Sequence, residues 1–464
     1  MPMKMPSSNA RRIQSRFALS DVRRYCLLIL LLVAALAATL PFLANPATEV
    51  QASAEPIPRP RLTSDFSGSI PARDIGSLFL STDLGNVVIH TQNSGKVDYH
   101  VHLETDATQK NARQILTEFA LKSRETHAGI YLKGHTSSRE LSGRLWVTIE
   151  FNIPKDFSLD VSTGGGNIQT DDVHGHVSLT TAGGNISTGN IGASARLITD
   201  GGHIIAKNVA GDLVADTGGG HIIAGDILGS ASLHTVGGHI RVSSIGGRAQ
   251  LATGGGNVTL EHAGADLVAE TAGGQIEVGE AAGIVRAKTG GGGIRVVHLS
   301  GPTNLQTDNG SIYLTQVDSP VRASTEAGGI TAWFVSGANQ HGTCELQSGD
   351  GDIVVYLPRE LPVTIDAQIQ MGNQHRMIVD PAFPLKVSYD DSANGARMVR
   401  AEGALNGGGQ VLRLRTVAGN IRVLASDADK QIQMYRQQME QLQQQLQFQL
   451  RMLEQSEPAN QNVP

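Results

Sequence analysis

Three histidines share one interval: His203, His221 and His239 each stand eighteen residues from the next. Imidazole is the commonest protein ligand for metals, and its nitrogen sits about 2.0–2.1 Å from zinc. If eighteen-residue units stack as strands, equivalent positions step by about 4.8 Å, so the outer two histidines stand about 9.6 Å apart. Three cannot then meet one ion, although two neighbours can. Two imidazoles without a carboxylate or thiolate make a poor site. The column also continues in amides, as Asn167, Asn185, Asn257 and Gln275. That favours a ladder of polar side chains bonded to one another, as amides are in stacked sheets. Protonation would put like charges in one column, so acid should strain this part of the chain. His203, His221 and His239 remain the metal candidates, and no cofactor is expected.

Carboxylates offer the other chemistry. Glycoside cleavage needs two of them roughly 5–9.5 Å apart. Asp212 with Asp216, and Asp266 with Glu270, are spaced by four residues in segments that read as strands. An extended strand sets such residues about 13 Å apart, which is too far. Ser230 and Arg248 hold the matching position in the coils between the two sets, so no cross-pair forms either. Asp350 and Asp352 lie close together, but an Asp does not follow each glycine turn as calcium-binding nonapeptides require. No G-x-x-x-x-G-K-[ST], G-x-S-x-G or H-E-x-x-H occurs. No catalytic residue is assigned.

These residues are positioned by a repeat. Thr163, Thr181, Thr199, Thr217, Thr235, Thr253, Thr271, Thr289, Thr307 and Thr325 open ten units of eighteen residues without a slip. A Gly follows each Thr by three, from Gly166 to Gly328, and an Ile or Val by five, from Ile168 to Ile330. A fixed short period without insertions marks a solenoid, one coil per unit. In the unit Thr217–His234, Ile222 and Ala224 share one strand face, Ala231 and Leu233 another, and Ile227 lies between. The glycine pair reads as a corner that needs positive φ. One coil buries too little to stand alone. Stacking buries whole columns, each Ile or Leu contributing roughly 1.5–3 kcal/mol.

The chain has 464 residues, net charge -6 and 4% aromatics, with no basic stripe. Nucleic acid is therefore excluded as a partner. Its two cysteines, Cys26 and Cys344, do not pair on this reading. Residues 1–54 hold a basic region and then the apolar run Tyr25–Ala44. That run is long enough to span a bilayer with its basic flank in the cytoplasm. Either it stays as a membrane anchor or a signal is cleaved near Ala52-Ser53-Ala54, and both place the remainder outside the cytoplasm. Residues 55–65 are a Pro-rich linker.

Residues 66–160 read as an N-terminal cap of short strands plus a helix over 106–124, started by Asp106 or Thr108. Ala112, Ile115, Leu116, Phe119 and Ala120 would line that helix's inner face. In Val97–Leu103, His100 and His102 alternate outward as ordinary strand residues. The repeat array runs over 161–353. Residues 354–425 form a closing cap whose last repeat copy is Thr416–Ile421. Residues 426–457 are Gln-rich, with Ile432, Tyr435, Met439, Leu442, Leu446 and Leu453 at heptad spacing and Gln449 as the one polar seam position. A short coiled coil capped by Ser426 is the expectation, with self-association through it. The alternative is a single helix lying on the solenoid or lying loose. Residues 458–464 read as a disordered tail.

The segments FNIPKDFSLDVSTGGGNI (Phe151–Ile168) and GALNGGGQVLRLRTVAGNIRV (Gly403–Val423), joined by T-x-G-G-x-I coils, resemble the bacterial putative-adhesin domain family. The resemblance covers roughly residues 66–425. It implies an extracytoplasmic β-solenoid with no known enzymatic activity, and it carries over no site residue. The expected fold is all-β: a parallel β-solenoid of the single-stranded type with eighteen-residue coils, one helix in the N-terminal cap and one C-terminal helix. The expected role is a non-enzymatic structural or adhesive surface at the cell envelope, binding a glycan, a wall polymer or another copy of itself. The alternatives are a carbohydrate-active β-helix enzyme and a metal-binding solenoid through the histidine column.

Overall fold

The computed structural model describes residues 61–72, 76–106, 109–137, 144–335, 342–371, 374–391, 397–426 and, within 437–444, all but 439 and 443. The apolar run, residues 55–60 of the expected linker and most of the Gln-rich segment lie outside the described residues; residues 62–65 of that linker are instead the start of a strand, paired with residues 102–105. Among those described, no helix is long and apolar enough to cross a membrane.

Each coil contributes two strands to two stacked sheets. Even-numbered strands from β8 (Ser158–Thr163) to β28 (Thr343–Asp350) pair in sheet B, and odd-numbered strands from β9 (Ile168–Thr170) to β29 (Ile353–Pro358) pair in sheet A. All of these pairs are parallel and most are aligned by one repeat, as in Ile222↔Ile240 and Leu233↔Leu251; the last two, Arg322↔Glu345 and Ile330↔Ile353, carry the five extra residues that precede Ser348. The fifth-position aliphatics from Ile168 to Ile330 are all fully buried and belong to one continuous core. The chain is thus an all-β solenoid, with a narrow core between the sheets. In the first coils the tenth position makes a third column of isolated bridges, Val173↔Ile191↔Val209↔Ile227.

The threonine column has a structural cause that periodicity alone did not reveal. Each Thr is buried at the end of a sheet B strand. Thr235 Oγ1 donates to Gly220 O at 2.8 Å, one coil back, and accepts from Gly238 N at 3.1 Å. Thr217, Thr253, Thr271, Thr289 and Thr307 repeat both bonds. The hydroxyl therefore ties its own corner to the coil before it. The glycine three residues on is required by close approach and not, in most coils, by φ. A Cβ on Gly238 would sit 1.9 Å from Gly220 O, whereas one on Gly237 meets nothing nearer than 3.9 Å. At the glycine corners of the ten-unit array only Gly166, at φ 120°, and Gly328, at φ 158°, have the positive φ expected there.

At the N-terminal end, β2 (Ser77–Thr82) and β3 (Asn86–Gln92) form a coil directly beneath β8 and β9. Beyond them lie β6 (Gly129–Thr136) and β7 (Leu145–Pro154). Antiparallel strands finish both edges: β4 (Lys96–Thr105) then β1 (Leu62–Pro71) on sheet A, and β5 (Phe119–Thr126) on sheet B. The helix α1 spans Gln109–Thr117, shorter than the expected 106–124. Phe119–Thr126 pairs with β6, so its residues follow a period of two. Asp106 does not cap the helix; its Oδ1 accepts from Arg144 N at 3.1 Å. Ala112 and Ile115 are buried as expected.

At the far end, β34 (Gln410–Ala418) and β35 (Ile421–Ser426) stack directly on β28 and β29, with Ser348↔Thr416 and Ile353↔Ile421 aligned. β30 (Val363–Ile369), β31 (Met377–Val379), β33 (Arg397–Leu405) and β32 (Lys386–Asp391) lie beyond them. The chain leaves the stack after β29 and returns to lay its final coil inside that excursion. Ser426 ends β35, and the residues it was expected to cap lie outside those described. Described residues of 437–444 are helical.

Candidate functional site

The outward corner column is a ladder. His221 N donates to His203 Nδ1 at 2.9 Å, His239 N to His221 Nδ1 at 2.9 Å, and Asn257 N to His239 Nδ1 at 2.8 Å. Asn167 and Asn185 do the same through Oδ1, each at 2.8 Å, and Asn257 at 2.9 Å. The three imidazoles stack with centroids 4.9 Å apart. Because Nδ1 accepts, each ring is neutral with its proton on Nε2. Burial, followed by the charge His203 would carry, holds His221 below the ordinary histidine value; burial and Arg241 do the same to His239. The column so arranged presents stacked ring edges and not a converging ligand set. Among the described residues no group of three or more His, Cys, Asp or Glu could hold a metal.

The acid pairs are separated along their strands, and each member has a neighbour on an adjacent coil. Asp212 Oδ1 accepts from Ser230 N at 2.7 Å, and Asp216 Oδ1 lies 3.3 Å from His234 Nδ1. Asp266 meets Arg248 at 3.7 Å, and Glu270 aligns with Lys288. Asp352 Oδ1 accepts both Asn420 N and Nδ2, at 2.8 and 2.9 Å. His100 and His102 do face outward, and both meet Asp65 across the β1–β4 ladder, at 3.2 and 2.7 Å. The hydrogen bond with His102 holds that carboxyl below its usual range.

A groove of about 800 Å³ runs over the outer face of sheet A in the first coils. Its concavity comes from strand length. β9, β11 (Ile186–Thr188) and β13 (Ile204–Ala206) have only three residues each, and the chain bends away after them. From β15 (Ile222–Ile227) onward the sheet A strands of the array are mostly six residues long, and the hollow closes against β15 and Ser243. Ile205 supplies an apolar rung; Lys155, Asp171 and Lys207 supply charge. A second ladder forms part of its side, with Asn190 N donating to Asp172 Oδ1 at 2.8 Å and Asn208 Nδ2 to Asn190 Oδ1 at 3.0 Å. The Asn190 backbone bond holds Asp172 below the ordinary carboxylate range. Thr170 and Thr188, also on the lining, have buried hydroxyls with no hydrogen-bond partner among the described residues. A shallower hollow of about 360 Å³ on sheet B holds Phe79, Asp160, Arg196 and Val214.

A family model described as Toastrack DUF4097 matches residues 75–424. The chain belongs to that family. Both segments that carried the adhesin-domain resemblance fall inside the matched span of this Toastrack chain. Three solved structures also align. A putative cell adhesion protein from Clostridium sporogenes is 8% identical, covering 79% of this chain and 100% of its own, with a TM-score of 0.16. A putative adhesin from Bacteroides fragilis is 14% identical over 59% and 97%, with a TM-score of 0.22. A putative adhesin from Parabacteroides distasonis is 10% identical over 61% and 97%, with a TM-score of 0.23. None of the three bears on what this chain binds. A comparison with curated proteins finds no match.

Sequence reasoning found the histidine column of this Toastrack chain and missed its groove. The signal was present: Asp172, Asn190, Asn208 and Asp226 recur at eighteen residues, as a second polar column. What one coil's wording does not show is that early strands stop three residues in, which needs the pairing itself.

Proposed function

We propose that this Toastrack chain is a non-enzymatic binding wall at the cell envelope, carried outside the cytoplasm and held to the membrane by Tyr25–Ala44. Its ligand is a hydroxyl-rich polymer, a wall or surface glycan, lying along the groove of sheet A. The observation that carries this reading is the groove's composition. It sets the half-buried Ile205 beside the Asp172–Asn190–Asn208 ladder, which recurs coil by coil, with Lys155 and Lys207 at the flanks. Such a ladder suits a partner that is itself periodic, with an apolar sugar face on Ile205 and hydroxyls on the amides and charges. A hydrolase would need a carboxyl kept protonated to act as acid. In this groove Asp172 is held in the opposite sense.

The test is co-sedimentation of the full chain with insoluble envelope glycan, alongside Lys155→Glu/Lys207→Glu and, as a control far from the groove, Arg286→Glu. Retention by the unaltered chain and the control, with at least a fivefold loss in the groove variant, supports the reading. Equal retention of all three, or none by the unaltered chain, contradicts it.

A further inference from the structure

The corner ladder has a gap. The fourth residue after each Thr donates its backbone N–H to the side chain of its counterpart one coil back, in every coil from Asn185 to Gln275. The pattern resumes with Gly329 N donating to Ser311 Oγ at 3.3 Å. Between these stand Gly293 and Ser311. Glycine has no side chain to accept from Ser311 N. Gln275, one carbon longer than Asn257, does not accept from Gly293 N. Among the described residues neither of these N–H groups has a partner. Two backbone donors on successive coils, about 4.8 Å apart, are therefore left at one break.

The break opens onto a hollow of about 240 Å³ lined by Gln275, Glu277, Gly293, Arg295, Ser311 and Tyr313. These residues sit at the starts of three successive sheet A strands, β21 (Ile276–Ala281), β23 (Ile294–Leu299) and β25 (Ile312–Val317). Arg295 aligns with Tyr313 on one side and with Glu277 on the other. Its guanidinium carbon lies over the Tyr313 ring, 5.5 Å from the centroid. Among the described residues no ion pair joins Arg295 to Glu277. The ring thus holds the half-buried cation beside the two donors without neutralising it.

We propose that this break is a carboxylate site, taking the acid group of a uronic acid sugar. One carboxylate oxygen stands where Gly293 lacks a side chain and accepts from Ser311 N. The other accepts from Arg295. Adjacent free backbone N–H groups make anion-binding concavities. A guanidinium adds a charge-assisted bond about twice as strong as a neutral one. Glu277 selects among anions: its charge disfavours a dianion such as phosphate more than a singly charged carboxylate. Its oxygens and the Gln275 amide can bond sugar hydroxyls. The column has a second glycine in this region, Gly329, but the rung above it carries the Asp352 carboxylate, which repels an anion. The site lies beyond the groove and does not depend on the groove binding anything.

The test is equilibrium dialysis of the full chain against labelled glucuronate, with glucose, acetate and inorganic phosphate as competitors. Gly293→Asn supplies the missing acceptor, as Asn257 does for Gln275 N, and so completes the ladder while closing the site. Its Cβ meets Ser311 O at 3.0 Å, which a small shift relieves. Arg295→Gln removes the charge and leaves the backbone alone; should Gly293→Asn fold poorly, it carries the test by itself. The expected result is saturable binding that glucose does not displace. Binding is expected to be at least tenfold weaker in Gly293→Asn and at least fivefold weaker in Arg295→Gln, with Gly293→Asn melting no lower than the unaltered chain. Acetate that competes as well as unlabelled glucuronate supports the carboxylate site and assigns it to small free acids. Phosphate that competes better than acetate overturns the proposal. So does binding that the variants leave unchanged, or the lack of any saturable binding.

Discussion

Replacing Thr235 by Val tests why the repeat spells threonine. Valine keeps the shape and removes two bonds, the donation to Gly220 O at 2.8 Å and the acceptance from Gly238 N at 3.1 Å. Both backbone groups lie beside a fully buried side chain, so water is a poor substitute. Leaving a buried polar group unpaired costs about 1–3 kcal/mol, so the pair loses about 2–6 kcal/mol. Thr235→Ser keeps both bonds and loses one methyl, about 0.8 kcal/mol. The chain already uses that exchange: Ser348 takes the same place in a late copy and donates to Gly328 O at 2.9 Å. Because a solenoid unfolds by local steps, a global midpoint understates the effect. Amide exchange at Gly238 reads it directly. Thr235→Val is expected to speed that exchange at least about thirtyfold, the factor for 2 kcal/mol, and Thr235→Ser less than about fivefold. Equal protection in the two variants would refute a structural role for the hydroxyl column.

Two further outcomes follow from the same corner. Gly238→Ala sets a Cβ 1.9 Å from Gly220 O and is expected to cost about 3 kcal/mol, while Gly237→Ala, with nothing nearer than 3.9 Å, stays within about 0.5 kcal/mol; denaturant midpoints compare them. His221 and His239 are depressed below the ordinary value of 6.5, so the unfolded chain binds protons first as pH falls. Their stabilisation is complete above about pH 6.5 and is lost as acid passes through the folded values. Replacing His203, His221 and His239 together by Asn keeps each acceptor, and should flatten the slope of melting temperature between pH 7 and 5. An unchanged slope would place the acid sensitivity elsewhere.

Much of the stack was legible because one coil repeats: the fifth-position aliphatics predicted a core column, and all ten are buried. The histidine column was legible for the same reason, as a ladder of stacked side chains. Three things were not. The glycine corner was read as a need for positive φ, but the limit at most positions is the carbonyl of the coil below, which belongs to another unit. The cap helix was drawn too long, because Phe119 and Ala120 fit a helical face while their real partners, Thr136 and His135, lie across a hairpin. The groove over sheet A was missed, because the wording of one coil does not show that β9, β11 and β13 stop after three residues.

The most direct test of the binding wall is a hydrogen-exchange footprint of the full chain with and without soluble envelope glycan. Protection confined to residues 169–172, 187–190 and 205–208 is the expected result. Protection on the outer face of sheet B, or none at saturating glycan, would contradict a groove that binds.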